Sequence, residues 1–168
     1  WLVKTDSMGN IVWDNAYGGN ADDNFYNLIL TPGERMLIGG WSLTDVSGDK
    51  TQPTNGQYDL WVVKLDAAGN ILWDKDYGGT GIEDEFNHFF ETADHGYLIG
   101  AVSYSNTGAD KSDDNLGVEQ DWVLKIDSLG NRQWDKTIFT LGHNEGTFIK
   151  QTADPKCYVV FTSDNGLI

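Results

Sequence analysis

The chain has little that fixes a backbone covalently, with three prolines and one cysteine among 168 residues. The single thiol, Cys157, cannot form an internal disulfide, and we expect it to pack as a small hydrophobic side chain in its apolar stretch. Long apolar runs are also missing, so the sequence predicts no membrane insertion and shows no signal peptide. Because the chain opens at Trp1 in the middle of a pattern, we expect it to be an interior fragment.

Positive charge is scarce as well. Eleven basic residues stand against 26 acidic ones, which gives a net charge of −15. Such a surface repels phosphate backbones and anionic lipid headgroups, which argues against nucleic acid and membrane surfaces as partners.

Glycine and aromatic residues are plentiful instead. Twenty glycines and 12% aromatic residues suit strands joined by tight turns, so the composition indicates an all-β fold. A chain of this length can bury a substantial core.

An internal repeat organises the whole chain. The strand-like segment 1–6 returns at 61–66 and 122–127, and each copy continues through a Gly-Asn turn to a second Trp-Asp pair. The repeat predicts three units: 1–60, 61–121 and a partial, degenerate unit at 122–168.

Four strands are predicted in the central unit. The segment 61–66 alternates apolar and polar residues, and a turn ending in a positive-φ glycine at Gly69 leads into the return strand. Strands at 86–92 and 97–104 flank a second turn. We expect 97–104 to be covered on both faces and 61–66 to lie nearer the outside. The predicted fold is all-β, a β-propeller segment of about three four-stranded antiparallel blades within one larger propeller.

The motifs resemble those of a known group of repeats. The pattern Trp-x-Val/Leu-Lys-x-Asp-x-x-Gly-Asn-x-x-Trp-Asp, followed by Tyr-Gly-Gly and by Ser-Gly-Asp-Lys-Thr at 47–51, is similar to the sixty-residue tandem repeats of secreted and surface proteins of Bacteroidota. That resemblance implies an extracellular or cell-surface location and export of the type IX secretion kind. The segment Ile38-Gly39-Gly40-Trp41 also resembles kelch-like propeller blades, which supports four strands per unit.

Aromatic residues are the first candidates for a binding site. Tryptophans that recur in every copy could stack on sugars, but stacked repeats need the same residues for their core. Function is therefore expected where the copies differ. We predict Trp41 and Tyr104, near the ends of their strands, as ligand-contacting residues, with packing between blades as the alternative.

Acidic residues in the long connections are candidates for a calcium site, because carboxylate oxygens suit calcium. Their spacing matches no EF-hand, and turn formation or pairing with Lys50 are the alternatives, so we assign no metal site. The residues are Asp45, Asp49, Asp59, Asp110, Asp113 and Asp114.

Nothing in the sequence predicts catalysis. The isolated residues His88, His95 and His143 lack metal-ligand spacing, and the acidic segments 22–23 and 83–85 are interpreted as solvated strand entries. No nucleophile elbow, phosphate loop or zinc-protease motif occurs. We therefore expect neither catalytic nor cofactor-binding residues.

These observations favour a non-catalytic repeat module of a secreted or surface bacterial protein. Its role would be adhesion, binding of a glycan or protein, or that of a structural spacer. Its partner would be a surface glycan or protein, or neighbouring repeats of the same protein. The alternative is a blade segment of a secreted polysaccharide-processing enzyme whose catalytic residues lie outside this chain.

Overall fold

The computed structural model describes residues 1–83, 85–138, 144–154 and 158–164. In that part of the chain it consists of β-strands and their connections, without a helix long and apolar enough to cross a membrane. The strands are β1 Leu2–Thr5, β2 Ile11–Asn15, β3 Asp23–Thr31, β4 Arg35–Ser42, β5 Asp59–Leu65, β6 Ile71–Tyr77, β7 Glu85–Glu91, β8 Tyr97–Ser103, β9 Gln120–Ile126, β10 Arg132–Ile138, β11 Asn144–Gln151 and β12 Tyr158–Asp164.

The strands form two four-stranded and two two-stranded antiparallel sheets. The first four-stranded sheet has the order β3-β4-β5-β6 and the second β7-β8-β9-β10, while β1-β2 and β11-β12 are hairpins. The all-β, antiparallel prediction is confirmed. The sequence repeat and the sheets are offset, because the central unit 61–121 contributes its first two strands to one sheet and its next two to the other.

Both predicted hairpins of the central unit are present. In the first turn, Asp66 Oδ1 accepts the backbone N–H groups of Ala68 and Asn70, each at 2.8 Å. Gly69 closes this turn at φ 84°, a left-handed conformation that is free of a Cβ clash only in glycine. In the second turn, His95 takes φ 62° and its N–H donates to the Thr92 carbonyl at 2.9 Å.

The main core lies between the two four-stranded sheets. Leu37, Leu60 and Val62 from the first sheet pack against Ile99 and Leu124 from the second, and all five are fully buried. The other face of the first sheet packs on the β1-β2 hairpin, and the other face of the second packs on β11. Stacking in this way buries apolar side chains on both faces of each sheet.

The position expected for residues 61–66 is wrong. Strand β5 is third in its sheet and is buried along its whole length. Its polar residue Lys64 is covered by the second sheet, where the ammonium nitrogen lies 2.5 Å from the Tyr97 hydroxyl oxygen. The alkyl stem of a lysine can be buried when its charged end finds a partner, so alternation of polar and apolar residues did not mark an exposed face here.

A tyrosine hydrogen bond joins the β1-β2 hairpin to a turn of the first four-stranded sheet, and another joins the first four-stranded sheet to a turn of the second. The Tyr17 hydroxyl donates to the Gly69 carbonyl at 2.6 Å, and the Tyr77 hydroxyl donates to the Gly130 carbonyl at 2.5 Å. In the third copy Ile138 occupies the corresponding position and has no hydroxyl. The same contact therefore recurs at both of the equivalent junctions that carry a tyrosine.

Candidate functional site

Two long connections, 43–58 and 104–119, leave the equivalent strands β4 and β8 and therefore lie at the same end of the two sheets. Each is tied to the glycine pair that precedes the sheet. The N–H of Asp49 donates to the Gly18 carbonyl at 2.9 Å, and the N–H of Asp110 donates to the Gly78 carbonyl at 3.0 Å. The connections are thus ordered by the same contact in both copies.

The recurring tryptophan and aspartate form part of this scaffold. Trp61 Nε1 donates to Asp74 at 3.2 Å, and Trp122 Nε1 donates to Asp135 at 2.9 Å. Both tryptophans are fully buried, which agrees with their interpretation as core residues. The same aspartates also accept from Thr51 and Ser112 of the connections, so they link the core to the loop end.

Glu83 corrects the interpretation of the acidic strand entries as solvated. Its side chain is fully buried, accepts from the Ser103 hydroxyl at 2.8 Å and accepts from the Gly79 N–H at 3.0 Å. Burial raises the pKa of this carboxyl, and the hydrogen bonds of Ser105, Gly79 and Ser103 oppose that shift. Its counterpart Asp23 accepts from Ser42 in the same way, at 2.5 Å. These carboxylates therefore hold the ends of strands β4 and β8, where Ser42 and Ser103 lie.

Two further carboxyl groups and a lysine are buried together in the first sheet. Lys50 Nζ lies 2.6 Å from Asp76 Oδ2, and both side chains are almost completely buried. Pairing of Lys50 with an aspartate, the alternative to a calcium site, is therefore present, but the partner is Asp76 of β6 and not one of the loop aspartates considered from the sequence. Asp59 lies beside them and is fully buried, and its Oδ1 accepts from no N–H group or hydroxyl among the described residues. We call Asp59 and Asp76 the acid pair, and Lys50 the lysine of the acid pair.

The acid pair holds a proton at neutral pH. Burial first, and then the hydrogen bond and negative charge of Asp59, raise the pKa of Asp76 to about 9 against the opposing effect of Lys50. Two carboxylates cannot both ionise cheaply in a site that contains one ammonium group. Asp76 is therefore held in its protonated form at neutral pH.

The second sheet has neutral side chains at the positions equivalent to Asp59 and Asp76. Lys111 Nζ donates to the Thr137 hydroxyl at 2.6 Å and to the Asp113 carbonyl at 3.1 Å. Gln120 stands where the first sheet has Asp59, and its side-chain oxygen accepts from the Leu116 N–H at 3.0 Å. The copies therefore differ at two acidic positions and keep the lysine.

A group of aromatic rings is also specific to the first sheet. Trp41 Nε1 donates to the Tyr26 hydroxyl at 2.8 Å, and the Trp41 ring meets the Tyr58 ring edge-on with centroids 4.8 Å apart. Tyr26 is 60% exposed, and the other two rings are half-buried. We call Tyr26, Trp41 and Tyr58 the aromatic cluster.

The two aromatic residues predicted from the sequence belong to different sheets. Trp41 lies in the aromatic cluster, whereas Tyr104 is exposed at the start of the second connection, where its N–H donates to the Ile82 carbonyl at 2.9 Å. Tyr26 and Tyr58 were missed by the sequence analysis. The signal that could have found them is that aromatic residues stand at these positions in the first copy alone.

The acidic residues considered for calcium do not form one site. Asp49 and Asp110 accept from glycine N–H groups, Asp113 pairs with Lys136, and Asp114 accepts from the Thr107 N–H. Across the described ranges, no three acidic, histidine or cysteine side chains are placed to hold a metal ion.

The histidines are likewise separate. His95 pairs with Glu91 at 3.0 Å, and His88 stacks on Phe148 with ring centroids 4.3 Å apart. His143, Asp84 and Cys157 lie outside the described residues. Comparison with known protein families finds no match for the chain, and comparison with curated proteins finds none either. The site is therefore characterised by its own geometry.

Proposed function

We propose that the chain is a β-propeller segment of about three four-stranded blades and that it acts as a non-catalytic binding module. The observation that carries this proposal is the stacking of two four-stranded antiparallel sheets with the same pairing in both. Gly40 stands opposite Trp61 in the first sheet, and Ala101 stands opposite Trp122 in the second. Face-to-face stacking of such sheets is the construction principle of propellers.

The proposed ligand is a neutral glycan, held at the aromatic cluster. Aromatic rings offer apolar faces on which the C–H faces of sugars can stack, and their polar ends supply hydrogen bonds. The Nε1–H of Trp41 is held by Tyr26, so this ring is positioned before a ligand arrives. A net charge of −15 favours neutral sugars over anionic ones.

The proposed location is the bacterial cell surface or the extracellular medium. The resemblance of the sixty-residue repeat to those of secreted Bacteroidota proteins supports it, and so does the acidic composition, which favours solubility. Adhesion through surface glycans is the role that fits both the location and the aromatic cluster.

A neutral-glycan array followed by calorimetric titration tests the proposal. We expect Trp41→Ala to weaken binding at least about tenfold, because stacking and burial of one aromatic ring contribute more than about 1.4 kcal/mol. Tyr26→Phe should weaken it less, since it removes only the oxygen that accepts from Trp41. Leu116→Ala, which changes an exposed apolar residue in the other connection, is the control.

Two results would contradict the glycan site. One is the absence of binding to any neutral glycan on the array, and the other is a Trp41→Ala variant that binds as tightly as the unaltered chain. Tyr104→Ala tests whether the binding site extends to the second sheet. Loss of glycan binding in this variant would show that it does.

A further inference from the structure

A buried amine and a buried carboxyl group touch in the first four-stranded sheet. Lys50 Nζ, in the connection 43–58, lies 2.6 Å from Oδ2 of Asp76 on β6, and the two side chains are 0% and 2% exposed. Lys50 Nζ also donates to the Gln52 carbonyl at 2.8 Å, which holds the amine in place. The two groups are therefore kept together and away from solvent.

Their contact lacks the geometry of a hydrogen bond. Among the described residues, neither oxygen of Asp76 accepts from an N–H group or hydroxyl at the angles that a hydrogen bond requires. The nitrogen of Lys50 is nevertheless close to one of these oxygens, and the carboxyl carbon Cγ is bonded to that oxygen. The amine of Lys50 therefore lies near the carbon of the Asp76 carboxyl group.

A second carboxyl group borders this contact. Asp59 is fully buried and shares a hydrogen bond with Asp76, and a Cβ at Gly78 would collide with Asp59 Oδ1. The backbone thus packs directly on the acid pair. Because burial and Asp59 raise the pKa of Asp76 to about 9, Asp76 carries a proton at neutral pH. A protonated carboxyl group is the form that an amine can attack, since its carbon is not shielded by a full negative charge.

These three side chains are the components of an amide bond. We propose that Lys50 and Asp76 join covalently, by attack of the Lys50 amine on Cγ of Asp76 with loss of one water molecule. The product is an isopeptide cross-link between the connection 43–58 and β6. The reaction begins once the chain has folded, so the freshly folded chain is in the open form. Asp76 titrates in the open form, and neither group titrates in the bonded form.

Bonds and protons balance with the groups of the site alone. The Lys50 ammonium group passes one proton to the Asp76 oxygen that it touches, and Asp76 passes its own proton to Asp59. The neutral amine forms the N–Cγ bond, the C–OH bond of Asp76 breaks, and the hydroxyl leaves as water with a second proton from the nitrogen. The products are one amide, one water and a protonated Asp59, so no oxidant or further reactant is consumed.

Burial favours this reaction in two ways. Ions are costly to keep in an interior, so the site favours a neutral amine and a neutral acid over a charged pair. Holding the two groups in contact also replaces a chance encounter by a reaction within one molecule, which lowers the barrier. The resulting cross-link closes a loop from residue 50 to residue 76 that contains β5, and it restricts the unfolded chain as a disulfide would.

The second sheet shows which component is essential. Lys111 is also buried, but its Nζ donates to the Thr137 hydroxyl at 2.6 Å. A hydroxyl group has no acyl carbon for an amine to attack, and Gln120 stands where the first sheet has Asp59. We therefore expect one cross-link per chain, at Lys50.

Mass spectrometry of the denatured chain tests the bond. After incubation of the folded chain at pH 7, we expect a mass lower than that of the sequence by one water molecule. Trypsin should no longer cleave after Lys50 and should release the fragment 36–64 joined to the fragment 76–111. An unchanged mass after prolonged incubation would overturn the proposal, and so would a loss of water in which these two fragments remain separate.

Three variants assign the roles. Asp76→Ala removes the carbon that is attacked and should keep the full mass, whereas the matched control Lys111→Arg should lose water as the unaltered chain does. Asp59→Asn keeps the shape of the side chain but accepts no proton, and it should slow the loss of water about a hundredfold. An unchanged rate in Asp59→Asn would overturn the role of Asp59 as proton acceptor.

Transfer of the site to the second sheet tests whether these groups are sufficient. The double variant Gln120→Asp/Thr137→Asp places two carboxyl groups beside Lys111, in the arrangement of the first sheet. It should lose a second water molecule and join the fragment 137–150 to the one that contains Lys111. A variant that folds, as judged by its circular dichroism spectrum, and forms no second bond would contradict the proposed chemistry.

Discussion

A lysine is buried at the loop end of each four-stranded sheet, and the two sheets place different groups around it. In the first sheet Lys50 pairs with Asp76 beside Asp59, whereas in the second sheet Lys111 donates to Thr137 and Gln120 occupies the position of Asp59. The backbone around both lysines is the same, since the turn of each connection is closed by the same pair of backbone hydrogen bonds. The comparison teaches that the repeat tolerates either a charged or a neutral group at this place, and that its shape is determined elsewhere.

The charged arrangement makes the stability of the first sheet depend on pH. The pKa of Asp76 is raised from 3.8 to about 9, so between these values the folded chain keeps a proton that the unfolded chain has lost. Stability therefore falls as the pH rises through this window. Gln120 and Thr137 do not titrate, and the shifted group at the equivalent place of the second sheet is Lys111, whose pKa burial lowers.

The largest expected effect comes from removing the lysine of the acid pair. Lys50→Met leaves buried carboxyl groups without their cation and should destabilise the fold by about 3–5 kcal/mol. Lys111→Met leaves neutral hydrogen-bonding groups and should cost about 1–3 kcal/mol. Urea unfolding at pH 7 measures both. Equal losses would show that the two sites do not differ electrostatically.

Replacing Asp59 and Asp76 by the residues of the second sheet should raise the free energy of unfolding, by less than Lys50→Met lowers it. The double variant Asp59→Gln/Asp76→Thr is expected to stabilise the chain by about 1–4 kcal/mol at pH 8, because folding then no longer requires Asp76 to take up a proton that the unfolded chain has lost. The gain should shrink as the pH falls towards 3.8, because the unfolded chain then also begins to bind the proton that Asp76 carries in the folded chain. Thermal melts from pH 4 to pH 9 measure it, and a gain that does not change with pH would contradict the raised pKa of Asp76.

The smallest loss of unfolding free energy is expected from changing the recurring tryptophans, and it should be the same in both sheets. Trp61→Phe and Trp122→Phe each remove one indole hydrogen bond to a buried aspartate, and each should cost about 1–3 kcal/mol together with the lost ring volume. The distances from indole Nε1 to the aspartate oxygen are similar, 3.2 Å for Trp61 and 2.9 Å for Trp122. The two losses of unfolding free energy should therefore agree within about 0.5 kcal/mol. Urea unfolding of the two variants provides the comparison, and a clear difference would show that the scaffold is not equivalent in the two copies.

Much of the local structure could be predicted from the sequence. The turn at 66–70 uses an aspartate whose carboxylate accepts from residues two and four positions later, and Gly69 supplies the positive φ. The same groups recur around Asp6 and Asp127. Contacts within a few residues depend on residue type and spacing, so the repeated motif was sufficient to predict these turns.

Buried polar residues were harder to predict. Lys64 and Glu83 look exposed in a pattern of alternating residues, yet each is covered by groups distant in the sequence. Trp41 was identified because it differs between the copies, but its partner Tyr26 lies on β3 and its partner Tyr58 lies at the end of the first connection. Alternation tells which residues share a face and says nothing about what stacks on it.

The sequence by itself determined the strands, the turns and the period of the repeat, because these follow from alternation and glycine placement over a few residues. The tertiary structure alone decided that each sheet joins strands of two successive repeats, and that Asp59 and Asp76 meet at Lys50. The physical reason is the stacking of sheets. It excludes water from both faces of each strand and brings together charges that the chain separates, and their energies depend on that exclusion.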